Sequence, residues 1–136
     1  MPTPPDPGPS DAVIGIAPPA DRDVVRLEIP AKPRYLAPAR LVAAALGAEA
    51  GLTIDDLDDL RLGVDELLAT LVEAADGAVV RVSFAAGHAS IDVRGELHGP
   101  ARPAEPDDMT RRIVAAVSDD YELGPSSFRL RKSASS

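Results

Sequence analysis

Between Thr53 and Gly77 the apolar residues Leu57, Leu60, Val64, Leu67, Leu68, Leu71 and Ala75 recur every three or four positions, with Asp, Glu and Arg between them. Only a helix of 3.6 residues per turn gathers these side chains into one stripe. A helix this long with an apolar stripe must be covered by a second layer, and that requirement limits the fold more than any other segment does. Thr53 offers a side-chain acceptor to the first unbonded N–H groups, and Asp56 completes a capping-box pattern three residues on. Asp55, Asp56, Asp58 and Asp59 favour the positive end of the helix dipole. Their ordinary role is capping and solvation. Asp76-Gly77 ends the helix.

The covering layer reads as a sheet. Val25, Leu27 and Ile29 alternate with Arg26 and Glu28, the pattern of a half-buried strand closed by Pro30 and Pro33. A helix over Arg34 to Ala50 follows, with Leu36, Leu41, Leu46 and its alanines as the apolar face; Pro38 then has to lie in the first turn. Gly51 stops it. Val80, Val82 and Phe84 form a strand, Ala86-Gly87-His88 a turn, and Ala89, Ile91 and Val93 the return strand of a hairpin. Residues 98–108 carry Gly99, Pro100, Pro103 and Pro106 and read as a loop. A short helix starts at Asp107 or Asp108 with Met109, Ile113, Val114 and Val117 inside. Tyr121 to Leu123 and Phe128 to Leu130 are short strands about the turn Gly124-Pro125-Ser126. The order β-α-α-β-β-α-β-β predicts an α/β two-layer sandwich, with a mixed, mostly antiparallel sheet and the helices on one face. The domain is expected over residues 23–132. Residues 1–22 hold seven of the 14 prolines and are expected to be a disordered tail, in which Val13-Ile14-Gly15-Ile16 is a short apolar patch; residues 133–136 are expected to fray.

Composition removes several function classes. Net charge is −8, so the average surface repels a polyanion, and nucleic-acid binding is not expected. Such a surface suits a basic protein partner. Without cysteine, disulfides and thiolate zinc sites are excluded. His88 and His98 have no carboxylate at ligand spacing, so no metal site is expected. No apolar run approaches the ~18 residues of a membrane span, and the first residues lack the regions of a signal peptide, so a cytoplasmic location is expected. Ser10, Ser118, Ser126 and Ser127 fit no nucleophile pattern.

Three segments carry a resemblance. They are Leu27-Glu28-Ile29-Pro30-Ala31-Lys32-Pro33-Arg34-Tyr35-Leu36-Ala37-Pro38-Ala39-Arg40, then Leu60-Arg61-Leu62-Gly63-Val64-Asp65-Glu66-Leu67-Leu68-Ala69-Thr70, then Arg112-Ile113-Val114-Ala115-Ala116-Val117-Ser118-Asp119-Asp120-Tyr121-Glu122-Leu123. Together they resemble the opening strand and helix, the nucleotide helix, and the closing helix and strand of the RsbW-type anti-sigma factors. These have a GHKL ATPase-like fold and are serine kinases in their intact form. The resemblance implies a Glu that serves as base for the attacking hydroxyl, matched by Glu66. It implies an Asn four residues on that binds Mg²⁺, where this chain has Thr70. It implies an Asp-x-Gly-x-Gly motif that reads adenine; this chain has Gly95-Glu96-Leu97-His98-Gly99, so Gly95 replaces the Asp and only Gly99 remains. Asp92 lies in the opposite phase from Val93 and is a poor substitute. A glycine-rich phosphate lid is implied as well, and residues 100–108 contain three prolines and no glycine.

These departures point to an ATP site that is a remnant (Glu66, Thr70, Gly95 and Gly99), with no cofactor expected. The favoured reading is an anti-sigma factor that sequesters an alternative sigma factor of the stress or sporulation type. The resemblance adds an antagonist with a STAS-type fold as the competing partner, a homodimer, and Arg40 on the first helix as a partner-contacting residue. The enzymatic alternative is an active serine/threonine kinase that phosphorylates the antagonist and so requires ATP and Mg²⁺.

Overall fold

The computed structural model describes residues 22–135. The expected tail lies outside them except for Arg22, which is part of the folded body, and Ser136 lies outside them too. Five strands form one sheet: β1 (Asp23–Pro30), β2 (Val79–Gly87), β3 (Ser90–His98), β4 (Asp120–Leu123) and β5 (Ser127–Ser133). Their order is β1-β2-β3-β5-β4, and every pairing is antiparallel. Three helices, α1 (Leu36–Glu49), α2 (Ile54–Ala74) and α3 (Asp108–Val117), pack on one face of it. The two-layer α/β sandwich and the element order are those expected from the sequence. Among the described residues, no helix is long and apolar enough to cross a membrane.

The periodic stripe of α2 is the centre of the core. Leu60, Val64, Leu67, Leu68 and Leu71 are fully buried against Val80, Val82, Phe84, Val93, Phe128 and Leu130. Each such side chain contributes about 1.5–3 kcal/mol on leaving water. The capping box is complete: Thr53 Oγ1 accepts from Asp56 N–H at 3.1 Å, and Asp56 Oδ2 accepts from Thr53 N–H at 3.0 Å.

A short 3-10 turn (Pro33–Tyr35) leads into α1, so Pro38 falls at the third helical position, where no intrahelical N–H is needed. The buried face of α1 differs from the sequence expectation. Ala39, Ala43 and Gly47 face the core, and Leu41 is 70% exposed. Position 41 lies two residues from 39, about 200° round the helix, so the two cannot share a face. The small stripe lets α1 approach α2 closely: a Cβ on Gly47 would come within 2.9 Å of Leu57 Cδ2. Gly51 ends α1 in a Schellman motif, with Leu52 N–H donating to Gly47 O and Gly51 N–H to Ala48 O, both at 3.1 Å, and φ of +95° at Gly51.

Three further expectations are corrected. The hairpin turn is His88-Ala89, because Gly87 still pairs with Ser90. Met109 is 63% exposed, since only Val114 and Val117 of α3 are buried. The fraying expected from Ser133 is replaced by contacts: Ser133 pairs with Ser90, Ala134 N–H donates to Ala89 O, and Ser135 binds Asp56 through its N–H (2.9 Å) and hydroxyl (2.5 Å).

Candidate functional site

Of the residues expected to form a remnant nucleotide site, Glu66 and Thr70 lie on α2, Gly95 lies on β3, and Gly99 directly follows β3. Helical spacing puts Glu66 and Thr70 one turn apart. Thr70 is buried, and its hydroxyl donates to Glu66 O at 2.8 Å, so its one proton is used within the helix. The half-buried Glu66 carboxylate accepts from Thr110 Oγ1 at 3.2 Å, on the first turn of α3. Asp107 caps that helix by accepting from Thr110 N–H at 2.7 Å, and this bond holds the Asp107 carboxyl below its usual range. Glu66 is thus tied to the start of α3.

Gly95 lies on the core face of β3, opposite Val82 on one side and Phe128 on the other. The Phe128 ring occupies the space into which a side chain at position 95 would project; a Cβ there would fall against its Cε2. The resemblance puts an adenine-reading carboxylate at this position. Here a fully buried ring fills its place. Gly99 has φ of +114° and lies 3.2 Å (measured from an added Cβ) from the Ala78 backbone, where it turns the chain out of the sheet.

Residues 99–107 are pinned. Pro100 O accepts from Asp76 N–H at 2.8 Å, Arg102 N–H donates to Ala74 O at 2.9 Å, and Ala104 N–H donates to Pro125 O at 2.7 Å. The segment closes over the end of α2 and leaves a groove of about 430 Å³ lined by Thr70, Glu73, Ala74, Arg102, Pro103 and Glu105. Of the four positions expected to form the remnant site, Thr70 lines it. The structure therefore joins Glu66 to Thr70 through the helix backbone and places Gly95 and Gly99 apart from that groove.

Arg40 stands elsewhere, on the outer surface of the α1–α2 pair. Its guanidinium lies 3.2 Å from Asp65 Oδ1, with side-chain exposures of 41% and 34%. Ala37, Leu41, Arg61 and Leu62 complete a shallow concavity of about 450 Å³. Leu41 at 70% and Leu62 at 42% are exposed apolar side chains within a charged rim.

Sequence reasoning missed Phe128, Thr110 and the exposed Leu41–Leu62 pair. A signal existed for Thr110, three residues after a capping aspartate. A strand glycine paired with an aromatic residue is a signal for Phe128, but only once the register is known.

An antiparallel sheet covered on one face by helices, with a Glu-bearing helix packed against a terminal helix and a connecting loop, defines a class of ATPase-like domains. Residues 29–126 match the histidine kinase-like ATPase domain, which is most of the chain, and the chain belongs to that family. Within it the chain is similar to proteins of the RsbW type. It is 24% identical over 124 residues to the serine-protein kinase RsbW of Oceanobacillus iheyensis, covering 74% of this chain and 78% of that protein. It is 27% identical over 124 residues to that of Listeria monocytogenes, covering 74% and 79%. A shorter match to the RsbW of Bacillus velezensis is 34% identical over 53 residues, covering 39% and 33%.

Proposed function

We propose that this protein is an anti-sigma factor that holds an alternative sigma factor through the α1–α2 surface around Arg40 and works without ordinary ATP binding. The observation that carries the reading is the Leu41–Leu62 patch beside the Arg40–Asp65 pair. It offers an apolar anchor and a charged rim, the composition from which protein interfaces draw affinity and orientation. An overall charge of −8 suits a basic partner surface. Sequestration follows by occlusion: a sigma factor held on this surface cannot engage core polymerase. Release then depends on a competitor, for which the resemblance supplies an antagonist of STAS-type fold.

Independence from ATP is supported by three local facts. Thr70 stands at the metal-ligand position with its proton committed to Glu66 O. The Phe128 ring fills the space beside Gly95. The segment at the lid position is held by backbone bonds to Ala74, Asp76 and Pro125, and its three prolines supply no N–H. The retained Glu66 favours a second reading, a divergent serine/threonine kinase acting on the antagonist. Isothermal titration with Mg-ATP separates the two: no heat of binding is expected, and micromolar affinity overturns the ATP-independent reading. Affinity capture from the native cell tests the partner. Recovery of a sigma factor is expected, and its repeated absence overturns the assignment.

A further inference from the structure

The concavity between α1 and α2 has a charge balance of its own. Of the side chains that line it, Arg40 and Arg61 are cationic and Asp65 is anionic, with Ala37, Leu41 and Leu62 beside them. The chain as a whole has the opposite balance, 22 acidic residues against 14 basic ones. A partner that is basic overall therefore still meets a local excess of guanidinium at this point. The chemistry that complements it is a carboxylate next to an apolar side chain.

The two arginines are held differently. Asp58, Arg61 and Asp65 follow one another at i, i+3 and i+7 and form one ridge of α2. Arg61 Nη2 donates to Asp58 Oδ1 at 2.6 Å, which leaves Asp65 to Arg40 on the neighbouring helix. That bond is a single contact from Arg40 Nη1 to Asp65 Oδ1 at 3.2 Å. A guanidinium binds a carboxylate most firmly through two parallel N–H groups, and here one is used. Separation strands neither group. Both side chains are partly exposed, at 41% and 34%, and Arg61 lies one helical turn from Asp65 on the same ridge. A buried pair such as Arg22–Asp92, at 13% and 12%, has no such freedom, because parting it leaves an uncompensated charge away from water.

We infer that Asp65 is a built-in competitor for Arg40. It holds the guanidinium beside the Leu41–Leu62 patch in the free protein and gives way to a carboxylate of the partner, whose adjoining apolar side chain then sits between Leu41 and Leu62. The occupant is an acidic and apolar segment of the sigma factor, so the inference rests on the α1–α2 surface being the sigma-factor site. Asp65 sets selectivity as well as strength. It neutralises Arg40 toward a segment that brings no anion, and a segment that presents Lys or Arg at this point meets Arg40 and Arg61.

The test uses the full chain and the sigma factor recovered by capture from the native cell. Affinities are measured for the parent, Asp65→Asn, Arg40→Gln and the double variant. Glu49→Gln, at the exposed end of α1, makes the same change in net charge away from the concavity. Asp65→Asn is expected to tighten binding roughly two- to fivefold, the scale on which exposed ion pairs act. Arg40→Gln should weaken it, the double variant should bind no tighter than Arg40→Gln alone, and Glu49→Gln should match the parent. Unchanged or weaker binding by Asp65→Asn overturns the inference while the sigma-factor site stands. A gain that persists without Arg40, or that Glu49→Gln reproduces, is an effect of net charge and overturns it equally. If the parent captures no sigma factor, the sigma-factor reading itself fails, and the inference falls with it.

Discussion

Asp56 shows how one side chain can join distant segments. Its carboxylate caps α2 through Thr53 and accepts both the hydroxyl and the N–H of Ser135. Those bonds, the Ser135 hydroxyl first, then the Ser135 and Thr53 N–H groups, hold its pKa far below the usual 3.8. A depressed folded pKa means that the stabilisation is complete above the unfolded value and fades as pH drops toward the folded one. Asp56→Asn should therefore lower Tm by a few degrees at pH 7, and the gap to the parent should narrow below pH 3.8. A gap that stays constant from pH 7 to pH 2 would remove the carboxylate charge from the account. Gly95 makes the opposite point: its importance is the space it yields. Gly95→Asp drives a carboxylate into the buried Phe128 ring. Overpacking of this kind costs about 1–3 kcal/mol before any charge penalty. Urea denaturation should show that loss, and no nucleotide affinity should appear in exchange. The capping half of Asp56 was legible in the sequence, since Thr53 and Asp56 sit at box spacing. The Ser135 half was not, because no local pattern links positions 79 apart.

The elements differ in how much of their packing the sequence displayed. In α2 charged and apolar residues alternate at 3.6-residue spacing, so its buried face could be named residue by residue. In α1 nearly every position from Leu41 to Ala48 is apolar, and periodicity has no contrast to work with. The choice fell to fit: the narrow Ala39–Ala43–Gly47 stripe is buried, with Gly47 against Leu57 and Leu60, and the larger Leu41 is turned outward. This reversal is what exposes the Arg40 surface. Arg40→Glu should weaken partner capture by tenfold or more, since charge reversal at a contact costs more than about 1.4 kcal/mol. Tm should hardly change, because exposed pairs such as Arg40–Asp65 contribute about 0–1 kcal/mol. Parallel binding and melting curves check both halves, and unchanged capture would take Arg40 out of the interface. Gly51→Ala should cost about 1 kcal/mol without touching binding, because its φ of +95° strains any residue with a Cβ.

At the scale of the whole molecule, the architecture is that of the ATPase-like family, and the proposal of ATP-independence rests on contacts that the residues at the nucleotide positions make within the fold. Glu66 and Thr110 join α2 to α3, Phe128 fills the space beside Gly95, and residues 99–107 staple the end of α2 to the β4–β5 turn. On the proposed reading these contacts complete the core without a ligand. That reading has a thermodynamic consequence, because a ligand that binds only the folded state raises stability by RT ln(1 + [L]/Kd). At a concentration one hundred times Kd the gain is about 2.7 kcal/mol. In a domain of this size that corresponds to a Tm rise on the order of 10 °C. Millimolar Mg-ATP should leave the melting temperature of this chain within error of that with Mg²⁺ alone. A rise of several degrees that saturates with nucleotide would mean that the groove beside Thr70 still binds it, and the kinase reading would then take precedence.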